Sequence, residues 1–493
     1  MTTEASPLHE EAEPRAALYG ASIAAVEPGG AEFIPLSERH GRPLSLFWTW
    51  TSPNFEFATV FVGVIPVLFF GETFWQALLA IVLGTSLGSL AQGVLSARGP
   101  KYGMAQMMLS RISFGRIGNI LPAGINSLVA GVGWFAVNSV SGSLALSALT
   151  GWPDLLCLAL ISAVQIVVAY FGHNLVHSFE KYAFPALVLV FVAVSVLLLA
   201  KTHTSAPHGV LGSGGGGIGG FLVSLGATFG YAAGWNPYAA DYTRYFKPDV
   251  SRRAVGAFAG LGVFVSCTLL ELGGAAAVTA SPKADWFDNP TTAYVGGVTH
   301  WLGDLALLAI ALGAISANVL NVYSGALSFT TLGIKIPVAA RRAVVAAVFG
   351  VAGFFLAWSG LSDAGAKYNN FLLVISYWIG PWLGVFFADQ WLRRGRDVAA
   401  LITDRKHNPW IGPLAMALGM AVSIPLFSDQ TDFTGVLAKA HPSLGDLTFE
   451  VGFVLAGAIY LVGFRLLGLG VAAVAPPAGE TQAEAGEAAS LAD

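Results

Sequence analysis

Twelve apolar runs follow one another through this chain, each near the roughly 20 residues needed to cross about 30 Å of hydrocarbon. Their approximate limits are 47–70, 73–95, 118–147, 153–172, 183–200, 219–240, 255–280, 302–330, 343–360, 370–392, 411–427 and 450–472. Inside a bilayer no water is present to satisfy backbone N–H and C=O groups, so each run must close its own hydrogen bonds as a helix. The expected fold class is an all-α polytopic membrane protein with about 12 transmembrane helices. Composition agrees: 55 % of residues are hydrophobic and 11 % charged, against roughly 25 % charged in soluble domains. The 59 glycines suit helices packed closely in lipid, where small residues let backbones approach.

Orientation follows from lysine and arginine. One set of loops holds Arg98, Lys101, Arg111 and Arg116, then Lys181, then Arg244, Lys247, Arg252 and Arg253, then Lys335, Arg341 and Arg342, then Arg393, Arg394, Arg396, Arg405 and Lys406. The opposite set holds only Lys201, Lys283, Lys367 and Lys439. This alternation places both termini in the cytoplasm of a multi-pass protein of the cytoplasmic membrane. Residues 1–42 read as a polar tail, 43–475 as the transmembrane domain and 476–493 as an acidic, small-residue tail. Neither tail has the apolar content to bury a core. The polar start has no basic stretch ahead of an apolar one, so no cleaved signal is expected. A net charge of −4 gives nucleic acid no reason to bind. Cys157 and Cys267 both lie in apolar runs and read as inert core thiols.

Two of the spans are interrupted. Span six carries GYAAGWNPYAADYTRY from Gly230 to Tyr245. Pro237 donates no backbone hydrogen bond and its ring clashes with the preceding turn; it also disfavours the α conformation at Asn236. An ordinary kink accounts for span six taken alone. Span one, however, carries Ser52-Pro53-Asn54 and then Glu56, so asparagine flanks proline in both. The two are five spans apart and hence oppositely oriented. A matched pair of broken helices in two inverted halves marks the central site of a transporter.

Polar side chains within spans are costly and point to function. Trp134 and Asn138 share one face of span three at i and i+4. An indole stacks on a flat ring and a carboxamide both donates and accepts, so the pair suits a planar heterocycle; a packed indole with an interhelical amide bond is the other reading. Asn318 and Asn321 are i, i+3 neighbours in span eight, beside Ser316, and fit contact with a ligand or an ion. Glu271 in span seven is acidic at depth and a candidate for proton coupling, as is Glu56. Gln165 reads as a packing group. Asp241 and Arg244, at i and i+3, read as a structural pair at the cytoplasmic end of span six. Asn369 and Asn370 open span ten and fit a capping role. The glycine run GSGGGGIGG at 212–220 lacks the Lys-Ser/Thr of a phosphate loop and reads as an external linker. HNLVH at 173–177 lacks the glutamate of a zinc helix, and no metal site is expected. No nucleophile or acid–base set appears, so an enzyme is not expected; a channel would repeat pore-lining motifs, which paired breaks do not.

The runs GPKYGMAQMMLSRISFG (99–115), FGHNLVHSFEKYA (171–183), GWNPYAADYTRY (234–245) and ANVLNVYS (317–324) resemble, in that order, motifs of the nucleobase-cation symporter family and its purine–cytosine permease branch. The resemblance spans residues 40 to 470. It implies a five-plus-five inverted repeat, as in leucine-transporter-like proteins, with two further helices. It also implies cation-coupled uptake of a flat heterocycle by alternating access. By motif matching, it places the substrate-binding aromatics on Trp134 and Trp235, the amides on Asn138, Asn318 and Asn321, and the helix-one break on Ser52 to Asn54. Glu180, closing helix four, takes a gating or structural role.

One departure bears on coupling. Sodium users in the family carry a Ser-Thr hydroxyl pair before the helix-eight asparagine, and here the pair is Ser316-Ala317. The expectation is therefore a secondary transporter of cytosine or a purine coupled to a proton rather than to sodium, functional as a monomer, with no cofactor beyond the co-transported ion. Allantoin, a hydantoin, uracil, a nucleoside or a pyridine-type vitamin fits the same side chains.

Overall fold

The computed structural model describes residues 33–171, 173–204, 217–281, 284–287, 289–334 and 338–468, without the side chains of 169–183, 319 and 338–343. The expectations for Glu180, His173 and His177, and for residues 212–216 of the glycine run, lie outside the described residues, as do the tails 1–32 and 469–493. The regular structure of the described residues is helical, apart from one isolated bridge between Asp429 and Thr434. Seven helices are long and apolar enough to cross a membrane, a bent pair adds one more span, and four shorter apolar helices complete the twelve.

In chain order the spans are Pro43–Asn54 with Phe57–Leu68 (one), Phe74–Ser96 (two), Ile120–Thr150 (three) and Asp154–Phe171 (four). His173–Leu199 (five), Ile218–Thr243 (six), Arg252–Ala280 (seven) and His300–Thr331 (eight) follow. Val338–Gly360 (nine), Ala364–Leu392 (ten), Ile411–Phe427 (eleven) and Thr448–Leu466 (twelve) close the set. Span ten begins ahead of the expected limit of 370, so Asn369 and Asn370 are internal residues and not caps. Asp363, in the left-handed region at φ 60°, stands at the N-cap position, and Asn370 Oδ1 instead accepts from the Thr431 amide at 3.1 Å. Backbone hydrogen bonding carries a helix through polar residues that hydropathy alone would exclude.

Packing sorts the spans into two interlocked groups. Spans one, two, six and seven pack on one another, and so do three, four, eight and nine. The pairing of one with seven is matched by that of six with two, and the pairing of three with nine by that of eight with four. An offset of five helices relates each pair, which is the signature of a five-plus-five repeat. Spans five and ten depart from that symmetry: five lies against seven and eight, ten against six and twelve. Where span one crosses span seven the backbones touch. A Cβ added at Gly63 would overlap the Glu271 main chain, so only glycine permits this crossing.

Residues ahead of the expected boundary at 42 also make contacts with the helices. Arg39, 3 % exposed, donates to the carbonyls of Ile34 and Pro100, both at 2.8 Å. The His40 amide donates to the Tyr245 carbonyl at 2.6 Å. Arginine's several donors are met by main-chain oxygens here, and buried Ile34 adds an apolar anchor.

Glu72, in the loop between spans one and two, is fully buried. Ser224 of span six donates to its Oε1 at 2.9 Å, while Oε2 has no partner among the described residues. Burial raises this carboxyl from 4.5 to about 7, against the opposing hydrogen bond from Ser224. A raised carboxyl stabilises the fold fully below its unfolded value, and that contribution is lost as pH rises through the folded value. Thermal unfolding between pH 4.5 and 8 should therefore show a fall in stability centred below pH 7. Glu72→Gln should flatten it and gain on the order of 2 kcal/mol at pH 8; identical pH profiles for the two proteins would show that Glu72 is not the group responsible.

Candidate functional site

Span one bends by 67° at its break. Ser52–Asn54 tighten into a 3-10 turn, Phe55 leaves the helical region at ψ 66°, and Glu56 is extended. Side chains replace the lost backbone bonds. The Asn54 amide donates to the Trp50 carbonyl at 2.7 Å and to Ser266 Oγ at 3.0 Å. Thr59 Oγ1 donates to the Asn54 carbonyl at 2.6 Å. Span six yields less: Asn236–Tyr238 form a 3-10 turn while Trp235 keeps helical angles. Its interruption is thus a tightened turn rather than an unwound segment. Asn236 Nδ2 reaches across to the Gly88 carbonyl at 3.1 Å and Gln92 Oε1 at 3.3 Å, both in span two. A single bond joins the two breaks: Trp235 Nε1 donates to Asn54 Oδ1 at 2.9 Å.

Trp134 stands against these breaks. It ends a stretch of π-helix at Val129–Trp134, a wider turn that re-aims the side chains it carries and recurs at functional sites. Its Cζ2 would lie 3.4 Å from a Cβ placed on Gly234, so the indole rests directly on the span-six backbone. Tyr231 and Phe371 meet it edge-on at 5.4 and 5.2 Å, and Tyr368 at 6.4 Å. Trp235 is edge-on to Trp50 at 6.0 Å and to Tyr238 at 5.8 Å.

One turn beyond Trp134, Asn138 Nδ2 donates to Asn318 Oδ1 at 2.9 Å, and Asn318 Nδ2 donates to the Phe135 carbonyl at 3.0 Å. Asn318 is thereby engaged on both sides and fixes the Asn138 amide. The oxygens of Asn138 and Asn321 are buried and have no partner among the described residues. Two buried acceptors, one on each side of the span-three and span-eight contact, are what a ligand's N–H groups require. Gln165 packs as expected, accepting from Ser139 at 2.6 Å and donating to the Ala314 carbonyl at 3.2 Å.

Glu56 and Glu271 are both buried. The Tyr231 hydroxyl lies within hydrogen-bonding distance of Glu56 Oε1, at 3.2 Å, and of Thr59 Oγ1. Thr85 of span two donates to Glu271 Oε2 at 2.8 Å. The second oxygen of each carboxyl has no partner among the described residues. Ser316 is buried one turn after Gly313, whose own Cβ would sit 2.8 Å from the Phe55 carbonyl. Span eight therefore meets span one at its break. At the basic end of span six, Asp241 Oδ1 accepts from the Gln106 amide at 2.9 Å. Arg244, wholly buried, donates to the Asp241 carbonyl at 3.2 Å, to Tyr245 at 3.2 Å and to Tyr323 of span eight at 3.4 Å. These contacts tie the first helix group to the second at that end.

At the opposite end lies a cavity of about 350 Å³, lined by Phe57, Phe61, Val137, Ser359, Lys367 and Phe371, among others. It does not reach the amides. Phe371 and Tyr368 line it and also abut Trp134, so these two rings form its floor and the roof of the aromatic cluster. Tyr231, Thr59, Tyr368 and Phe371 were not singled out by sequence. Only Tyr231 left a signal, four residues before Trp235 and so on its helix face.

The geometry defines a class: a polytopic membrane protein of two interlocked five-helix repeats, with an aromatic cluster beside the paired breaks and buried amides one turn further along span three. Solved structures of Mhp1, described as a nucleobase-cation-symport-1 family transporter, share this fold. One is a closed conformation with bromovinylhydantoin bound (TM-score 0.69, 20 % identity, 91 % of this chain and 96 % of that one). Another is inward facing (TM-score 0.69, 21 % identity, 90 % and 94 %). Residues 33–452 match the family of permeases for cytosine/purines, uracil, thiamine and allantoin, and the chain belongs to that family. Similar curated relatives include a putative purine-cytosine permease, YxlA, of Bacillus subtilis, at 29 % identity over 89 % of this chain and 95 % of that one. Another is the purine-cytosine permease fcyB of Emericella nidulans, at 27 % identity over 88 % of each. The chain is a multi-pass membrane transporter of this family and not an enzyme.

The Asn54 carboxamide joins both breaks, so Asn54→Ala should leave the Trp235 indole N–H and the Trp50 carbonyl unpaired. A loss of about 1–3 kcal/mol for each buried group should appear as a lower thermal midpoint of the purified protein. An unchanged midpoint would mean that the two breaks are held together by packing alone.

Proposed function

We propose that this protein is a cation-coupled symporter that takes up a nucleobase, cytosine or a purine, by alternating access. The observation that carries the reading is the pair of buried amide oxygens, on Asn138 and Asn321, that have no partner among the described residues, with Asn138 one turn from Trp134. A nucleobase offers ring and exocyclic N–H groups to such acceptors and a flat face to the indole. Trp134 and Trp235 are read as the substrate's stacking partners, Asn138 and Asn321 as the readers of its edge, and Asn318 as the group that orients Asn138. Ser52 and Asn54 shape the wall at the break. The transporter acts as a monomer with both termini in the cytoplasm.

The coupling ion in this reading is a proton. Ala317 lacks the hydroxyl that a sodium ion would use, and a hard cation needs several oxygens. Glu56 and Glu271 each keep one oxygen without a partner among the described residues. A carboxyl group enclosed in apolar surroundings is more easily kept neutral than charged, which suits it to load a proton on one side and release it on the other. Asp241 and Arg244 hold the cytoplasmic end shut in this arrangement. The cavity bordered by Phe371 is the path from outside.

Radiolabelled nucleobase should bind the purified protein, and Trp134→Ala should weaken it by on the order of 1–3 kcal/mol, the scale of base–aromatic stacking. Asn321→Ala should weaken it comparably and alter ranking across a panel of nucleobases and hydantoins. Normal affinity in a folded Trp134→Ala protein, together with unchanged ranking in Asn321→Ala, would place the substrate elsewhere.

In proteoliposomes, uptake should follow an imposed pH gradient without sodium. Glu271→Gln should abolish that dependence while leaving binding within about threefold. Accumulation driven by a sodium gradient at equal pH, and lost in Ser316→Ala, would overturn proton coupling.

A further inference from the structure

A second cavity, of about 780 Å³, runs between spans two and seven, on the outer face of the first helix group and away from the site above. Its floor is backbone. A Cβ at Gly93 would lie 2.6 Å from the Gly256 carbonyl, and one at Gly260 would lie 2.8 Å from the Ser89 carbonyl. Small residues have brought the helices into contact and left a trough above the contact line. Its apolar walls include Leu90, Val94, Leu261 and Phe264; Leu90 and Leu261 are 67 % and 48 % exposed.

The end of the trough at the basic loops is different. Arg98 closes span two there, and Arg252 and Arg253 open span seven. The Arg98 guanidinium lies 5.8 Å over the Phe386 ring and has no hydrogen bond or ion pair among the described residues. Arg252 uses only Nε, on the Ala97 carbonyl at 3.3 Å. Gln390 also lines this end, with a buried Nε2 that has no partner among the described residues. No carboxylate lines the trough; the neighbouring Asp389 is engaged by Arg393 at 2.7 Å and Tyr460 at 2.5 Å. The start of span seven adds the positive end of a 29-residue helix, which favours an anion.

We propose that this groove binds an anionic glycerophospholipid of the cytoplasmic leaflet. Its phosphate is held by Arg98, Arg252 and Arg253, with Gln390 as a further donor. One acyl chain lies along the Gly93–Gly256 floor between Leu90, Val94, Leu261 and Phe264. A basic head joined end-on to an apolar trough matches the two parts of such a molecule in their order along the membrane normal. Guanidinium forks suit a phosphate bidentately, and a soluble anion would leave the trough unused. Bound there, the lipid bridges spans two and seven, one helix from each repeat.

Thermal unfolding and native mass spectrometry of the full chain test this, with phosphatidylglycerol, phosphatidylcholine and glycerol phosphate as probes. Phosphatidylglycerol should raise the midpoint and survive as a one-to-one adduct. The other two should do neither. The triple variant Arg98→Gln, Arg252→Gln, Arg253→Gln should bind phosphatidylglycerol at least tenfold more weakly while keeping its midpoint in phosphatidylcholine. Leu261→Trp, which fills the trough and leaves every charge in place, should displace the adduct too. Equal effects of the two phospholipids, saturation by glycerol phosphate alone, or full retention of phosphatidylglycerol by Leu261→Trp would each overturn the proposal.

Discussion

A broken helix in hydrocarbon must have its freed N–H and C=O groups satisfied by protein, because nothing else is there to do it. The carboxamide of Asn54 meets this demand for span one, with bonds to the Trp50 carbonyl, Ser266 and the Trp235 indole. Asn236, at the milder break of span six, instead reaches across to the Gly88 carbonyl and Gln92 of span two. Asn54 thus closes its own break, while Asn236 ties its break to a neighbouring helix. Through them, each break is fastened to a helix of the other five-helix repeat.

That logic explains what could be read in advance. Proline and asparagine within apolar runs are conspicuous, and a five-helix offset between two such runs implies inverted halves. Trp134 and Asn138 were legible for the same reason, being polar or amphipathic side chains at one helical spacing. The rest depended on contacts distant in sequence. Tyr231, Phe371 and Tyr368 look like packing residues in any apolar run, and only the fold brings them around Trp134. The π-turn before Trp134 left glycines as its one trace. The i, i+3 spacing of Asn318 and Asn321 correctly put them on one face, yet could not show that Asn318 would be taken up by Asn138 and the Phe135 carbonyl while the Asn321 oxygen stayed open. Glu72 was invisible because it lies in a loop, where a carboxylate needs no explanation until its burial is known.

The two ends of the molecule are closed by different means, and the difference follows from span ten and span six. On the basic side the end of span six is tied to span eight by Arg244 and Tyr323 and to the loop between spans two and three by Asp241 and the Gln106 amide. These are polar bonds between the two helix groups, individually modest and easily exchanged for water. On the other side the cavity stops at Phe371 and Tyr368 of span ten, rings that separate it from Trp134 mainly by packing, with one hydrogen bond from Tyr368 to the Ala58 carbonyl at 3.1 Å. A rocking of one group against the other would have to break directional bonds at one end and part a set of rings at the other. Breaking the polar end exposes groups that water can satisfy. Parting the rings exposes apolar surface that a flat ligand, but not water, can cover, so that a substrate able to slide between Phe371 and Trp134 would itself lower the cost of opening the route it uses.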